Sequence, residues 1–319
     1  MEIFLMVLAG LCLFLFAVSS LSDTLKDIIG DKAKKWIGIF TKNSVTGVLT
    51  GTIITILLDS SSAVIILTIV LVNSKVLTFE QSMGIVLGAN IGTTFSSQLI
   101  ALDIGKYSPI PIFIGLLLSF ISRSESISKS GRSLLYFGIM FFGLYTMERA
   151  VEPLREQVGF IDWMTRLENP VKGAGVGAIV TLILQSSSAT VGMVITLAKK
   201  ELITLGAGIA VMFGAELGTC SDTLLATMKS NRQAVKTGVF HLFFNFICII
   251  IGMLIFPWYV NFIKSISGGA AIEQQIANAH MLFNIGGVIV FLPLISIISK
   301  MLNRLIPEKS EFQQSPALS

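Results

Sequence analysis

Charged side chains are scarce in this chain. They make up 13% of its 319 residues, where a soluble domain carries roughly 25%. Those present cluster in short stretches between long apolar runs, and 53% of all residues are hydrophobic. That pattern excludes an ordinary soluble domain and fits a polytopic membrane protein. The net charge of +4 then reflects cations flanking apolar spans, and a nucleic-acid partner is not expected. Cysteine is scarce too. Cys12, Cys220 and Cys248 lie in apolar surroundings without metal-ligand spacing, which excludes a disulfide framework and leaves them as reduced and mostly packing residues, Cys220 being a partial exception because it ends a motif described below. The first twenty residues lack the basic start of a signal peptide, Glu2 being their only charge, so they are expected to stay as a membrane span. No G-x-S-x-G elbow occurs, which disfavours a serine hydrolase.

What is present is a repeat. "LILQSSSATVG" at 182–192 has a relative in "LLDSSSAVI" at 57–65, offset by 126 residues (185 − 59). The same offset carries Asn43 onto Asn169, Gly47 and Gly51 onto Gly173 and Gly177, and "GANIGTT" at 88–94 onto "GAELGTC" at 214–220. Two motifs at equal spacing are improbable by chance, so the chain consists of two related halves.

The apolar spans fall near 3–22, 45–72, 77–101, 108–122, 133–147, 173–198, 203–228, 237–260 and 279–300. The spans at 45–72 and 173–198 are long for one crossing of about 20 residues and polar near the middle. Each is expected to be two short helices meeting at the Ser run as a re-entrant hairpin, because irregular backbone at membrane depth needs protein or water around it. The unit then crosses an odd number of times, and the second copy is inverted. The expected fold is an all-α polytopic membrane protein of two inverted repeats, each with a re-entrant helical hairpin and a broken helix. The expected divisions are 1–126, first repeat; 127–260, second repeat; 261–300, final transmembrane helix; and 301–319, cytoplasmic tail. The lysines of a loop at 23–44 (Lys26, Lys32, Lys34, Lys35, Lys42), the cations Arg123, Lys129 and Arg132, and Lys229, Arg232 and Lys236 are expected on the cytoplasmic side. Lys300, Arg304 and Lys309 of the tail are expected there too. The loop at 148–172, placed outside, also holds Arg149, Arg155, Arg166 and Lys172, offset by five acids.

Inverted repeats with broken helices are the architecture of secondary transporters, with the site near the midplane where the copies meet. Hydroxyls both donate and accept hydrogen bonds, and a helix start adds free N–H groups and partial positive charge. Two such tips facing each other can cradle a small oxyanion, and their oxygens can also ligate Na⁺. The glycines of "GANIGTT" are expected to let the backbone turn towards a ligand, with Asn90, Thr93 and Thr94 supplying oxygens; close helix packing is the competing explanation. No Lys or Arg lies inside these motifs, so a bound anion needs its charge balanced from elsewhere, and co-bound cations are the obvious source. "HLFFN" at 241–245 and "HMLFN" at 280–284 put His241 beside Asn245 and His280 beside Asn284 on one helix face; packing between helices is the preferred reading.

In these residues — "QSSSAT" at 185–190, "SSSA" at 60–63 and "GANIGTT" at 88–94, in two copies — the chain resembles the type II sodium–phosphate cotransporter family over about 3 to 300. The resemblance implies a sodium-coupled carrier of inorganic phosphate, in which a hairpin-bearing domain moves against a scaffold by alternating access. It implies no enzyme activity. Many bacterial relatives carry a PhoU-like domain, which is not expected here. The expected substrate contacts are Ser60, Ser61, Ser62, Asn90, Thr93, Gln185, Ser186, Ser187, Ser188 and Thr219. The expected sodium ligands are Asp59, Ser61, Thr94, Ser187 and Glu216. No cofactor is expected beyond sodium as coupling ion. The expected surroundings are a lipid bilayer, the bacterial inner membrane, with a homodimer an open possibility.

Two positions depart from the family pattern. Asp59 stands where Gln is usual and Glu216 where Asn is usual. A buried carboxylate is costly unless protonated or paired with a cation. Three readings of the acids stand: sodium ligands, protonated groups, or signs of a different substrate; the bland alternative is that they bond neighbouring helices. A carrier of another small solute, coupled to protons or cations, stays open, as do an intramembrane hydrolase using His241 or His280 and a passive channel.

Overall fold

A computed structural model describes residues 1–228 and 230–307. Lys229, Lys309 and the rest of the expected tail from 308 lie outside the described residues. The described chain is an all-α polytopic membrane protein with no strand. Its α-helices are α1 (Glu2–Phe40), α2 (Ser44–Leu58), α3 (Ser61–Asn73), α4 (Phe79–Ala101), α5 (Pro109–Ile121), α6 (Glu125–Val151), α7 (Val158–Arg166) and α8 (Pro170–Leu184). They continue as α9 (Ser187–Lys199), α10 (Leu205–Gly218), α11 (Cys220–Thr227), α12 (Arg232–Leu254), α13 (Phe256–Ile266), α14 (Ile272–Phe291) and α15 (Ile295–Leu305). Among the described residues, five helices are long and apolar enough to cross a bilayer, or up to seven if each sharply bent pair counts as one span. Large apolar side chains such as Phe113, Phe120 and Ile183 face outward, as lipid contact requires.

The two Ser-rich spans are hairpins. α2 and α8 have 15 residues each and α3 and α9 have 13. At about 1.5 Å per residue, none reaches across a hydrocarbon core of about 30 Å. The two hairpins have matching breaks. Asp59 (φ 50°, ψ 34°) and Gln185 (φ 53°, ψ 32°) end the first arms in the left-handed region. Ser60 and Ser186 then turn to extended backbone and cap the second arms, each Oγ accepting from the N–H three residues on, Ala63 or Ala189, at 3.2 Å. A left-handed residue followed by a Ser N-cap is what separates two helices here. Lys75 and Glu201, again 126 apart, close α3 and α9 in the same left-handed conformation (φ 60° and 56°).

α2 packs along α4, and α8 along α10. A methyl on Gly88 would collide with the Val48 carbonyl, and one on Gly214 with the Ala174 carbonyl. The motif glycines therefore serve close helix approach and do not turn the backbone towards a ligand. α4 runs unbroken through 88–94, and the second copy is interrupted only at Thr219, whose dihedrals remain helical (φ −65°, ψ −18°). No break therefore falls at 88–94 in the first copy. The larger bends are 78° before α5 and 100° before α8.

Two further expectations change. Residues 23–40 are not a loop: α1 continues through Lys26, Lys32, Lys34 and Lys35 as one helix of 39 residues. The final span begins at Ile272 and runs to Leu305, while α13 is a separate short helix before it.

Candidate functional site

The hairpin tips converge on one cavity of about 400 Å³. The first tip contributes Asp59, Ser60, Ser61 and Ser62; the second contributes Leu184, Gln185, Ser186, Ser187 and Ser188; Thr219 joins them from the end of α10. Residues 126 apart in sequence therefore share one wall. Each tip presents the start of a helix, with free N–H groups beside its hydroxyls.

Each tip is held from the side. The Asp59 carboxylate accepts a hydrogen bond from Ser96 of α4. The Ser22 hydroxyl of α1 donates to the Leu58 carbonyl at 3.2 Å, which satisfies one of the acceptors left open where α2 ends. At the second tip, Thr181 donates to Thr190 at 2.7 Å, and the Thr190 hydroxyl donates to the Ser186 carbonyl at 3.3 Å. Ser62 reaches across to Asp222 of α11, Oγ to Oδ2 at 3.4 Å.

Other expected site residues lie elsewhere. Asn90, Thr93 and Thr94 are buried and donate to carbonyls of their own helix, at Val86 (2.8 Å), Ala89 (3.0 Å) and Ile91 (2.7 Å). They do not line the cavity. Neither does Glu216, whose Oε1 lies 2.7 Å from Nε2 of His280. The other ring nitrogen of His280 lies 2.7 Å from the Ser97 hydroxyl. His241 Nδ1 lies 2.9 Å from the Thr223 hydroxyl. Both histidines are thus engaged with Ser97, Glu216 and Thr223, and neither lines the cavity of the Ser runs. Among the described residues, no three His, Cys, Asp or Glu side chains gather as metal ligands. An ion here would be held by hydroxyls, carbonyls and the carboxyl groups of Asp59 and Asp23, the donor set of a hard cation.

Sequence reasoning missed the contribution of α1. Ser19, Ser22, Asp23 and Lys26 line the same cavity, and Lys26 Nζ pairs with Asp23 Oδ1 at 3.0 Å. The signal was the polar break "SSLSD" at 19–23, which interrupts the first apolar run. Asp222 was also missed, although it sits 126 residues after Ser96, which contacts Asp59.

The chain is similar over its membrane part to several proteins. The uncharacterized protein YqeW of Bacillus subtilis (strain 168) is 27% identical over 309 residues, which cover 96% of this chain and 100% of that protein. A protein of Escherichia coli (strain K12), named "Putative inorganic phosphate export protein YjbB", is 25% identical over 262 residues, 81% of this chain and 47% of that protein. The human "Sodium-dependent phosphate transport protein 2B" is 26% identical over 132 residues, 38% of this chain and 19% of that protein. The chain thus spans the length of the first and less than half of the other two. No solved structure matches. The profile of the Na⁺/Pi-cotransporter family matches residues 13–149 and 158–273, and with its paired hairpins this multi-pass membrane protein belongs to that family.

Proposed function

We propose that this chain is a sodium-coupled secondary transporter of inorganic phosphate, working by alternating access, with substrate and cations bound between the two Ser-rich tips. The observation that carries the reading is the meeting of both tips on one cavity. Family membership implies a transporter and not an enzyme. Ser60, Ser61, Ser62, Gln185, Ser186, Ser187, Ser188 and Thr219 are the oxyanion contacts; their hydroxyls and the adjacent helix starts match an anion's lone pairs.

Charge supports sodium coupling. The lining holds Asp23, Asp59 and Lys26, so with both acids ionised it carries one negative charge in excess before an anion enters. Adding phosphate without cations would place uncompensated charge in a low-dielectric region, which is costly. Asp59, with Ser61 and Ser187 of the same cavity lining, is the sodium site we assign. Asn90, Thr93, Thr94 and Glu216 support the scaffold in this reading. The repeats 1–126 and 127–260 have opposite orientation in it, followed by the last span, and cytoplasmic cations set the N-terminus outside.

The test is uptake of radiolabelled phosphate into proteoliposomes under an inward Na⁺ gradient, compared with K⁺ and with a pH gradient alone. Accumulation driven by Na⁺ supports the reading. Accumulation driven only by protons would move the coupling ion from sodium to H⁺. Failure under every gradient, with other solutes accumulated, would assign a different substrate. Reversing the gradient in preloaded vesicles reads export.

A further inference from the structure

We propose that Lys26 supplies the counter-charge for the anion in the hairpin cavity, and that Asp23 competes with that anion for the same ammonium. The inference deepens the phosphate reading above and rests on it.

The Ser runs contain no cation, and among the lining residues Lys26 is the one basic side chain. An anion held by hydroxyls and helix starts alone would face Asp23 and Asp59 without a full positive charge. α1 supplies one. Ser19, Ser22, Asp23 and Lys26 follow the spacing i, i+3, i+4, i+7, so a single helix face turns these four polar side chains to the cavity.

That stripe is level with the first tip. Ser22 is bonded to the Leu58 carbonyl, one residue before Asp59, and Lys26 lies one helical turn further along. The Asp23–Lys26 pair follows the apolar run 3–22 of α1 directly, inside a helix that spans Glu2–Phe40. A surface Asp–Lys pair at i,i+3 ordinarily faces bulk water and contributes little; this one lines the cavity between the tips.

The pair is built to exchange partners. The side chains of Lys26 and Asp23 are 43% and 68% exposed, so water screens their attraction. A small dianion with several acceptor oxygens is a stronger partner for an ammonium than one screened carboxylate. The Lys stem is flexible enough to turn its three donors to the cavity without moving α1. Removing Lys26 takes away attraction for the anion; removing the Asp23 charge takes away a competitor. The two substitutions therefore act in opposite directions, whereas a pair that merely stiffens α1 would suffer similarly from either.

The test uses the full chain in proteoliposomes, with initial rates of phosphate uptake over a range of phosphate at saturating Na⁺. Lys26→Met is expected to raise KM about tenfold, with the maximal rate changed less than about twofold. Lys26→Arg, which keeps the charge, restores most of the affinity, and Asp23→Asn lowers KM roughly threefold. An unchanged KM in Lys26→Met, or both substitutions shifting KM the same way, overturns the inference while the wild type still transports phosphate. Wild-type protein that accumulates no phosphate under any gradient overturns the phosphate reading and this inference with it. If Lys26→Met does not fold, Asp23→Asn decides alone: a lower KM supports the proposal and an equal or higher one overturns it.

Discussion

Glu216 and His280 meet in the interior with Oε1 and Nε2 2.7 Å apart, their side chains 2% and 0% exposed. The contact joins α10 to α14, and His280 carries it on to Ser97 of α4. Three helices from both halves are therefore tied by one imidazole. A carboxylate at this depth stands only because the ring answers it.

Removing the ring should cost more than changing the acid. His280→Ala leaves a buried, unanswered carboxyl and is expected to destabilise the protein by about 3–5 kcal/mol. Glu216→Gln keeps a hydrogen-bonding group opposite Nε2 and is expected to cost about 1–2 kcal/mol. Thermal unfolding in detergent measures both. Equal losses would show that charge plays no part in the contact.

Asp59→Gln converts the first tip into a copy of the second. Gln185 already adopts the same left-handed backbone, so folding should be unaffected. The half-saturating Na⁺ concentration for phosphate uptake should rise roughly tenfold, equivalent to about 1.4 kcal/mol. Unchanged sodium dependence would move the cation site away from Asp59.

Within a tip, the first and last Ser should separate stability from binding. Ser60→Ala and Ser186→Ala each remove an N-cap and are expected to lower stability by about 1 kcal/mol. Ser188 lines the cavity without capping its helix. Ser188→Ala should leave the unfolding temperature in place and weaken phosphate uptake. Matching stability losses at all three positions would count against a division of labour.

Gly88→Ala and Gly214→Ala test the packing role of the motif glycines. Each methyl would collide with a backbone carbonyl across the helix pair, and a loss of about 1–3 kcal/mol is expected. Gly175, on α8, has open space where a Cβ would go. Gly175→Ala should be neutral or stabilise by up to about 1 kcal/mol. A neutral Gly88→Ala would mean that α2 and α4 have room to part.

The hairpins were legible because their instructions are local. An acid or amide that takes a left-handed turn, then a Ser that caps, is written in five residues, and the repeat wrote it twice. The role of "GANIGTT" was not, because glycine serves turns and close packing with the same letters; only the carbonyls of Val48 and Thr52 across from it decide. The continuation of α1 past residue 22 was hidden because a lysine-rich helix and a lysine-rich loop share a composition. The partners of Glu216 and Asp59 lie 64 and 37 residues away, and nothing in the neighbouring sequence names them. Lys26 was counted as a cytoplasmic charge, since hydropathy reports how polar a stretch is and not what it faces.

The paired left-handed residues have a consequence for how such a site can change. Asp59 and Gln185 share dihedrals to within a few degrees, yet one is an acid and the other an amide. The socket is thus indifferent to what is plugged into it. At the far ends of α3 and α9, Lys75 and Glu201 repeat the point with opposite charges in one conformation. The same backbone at these four corners accepts an acid, an amide and a cation, so a substitution there changes the chemistry of one half while its twin keeps the frame as an internal reference.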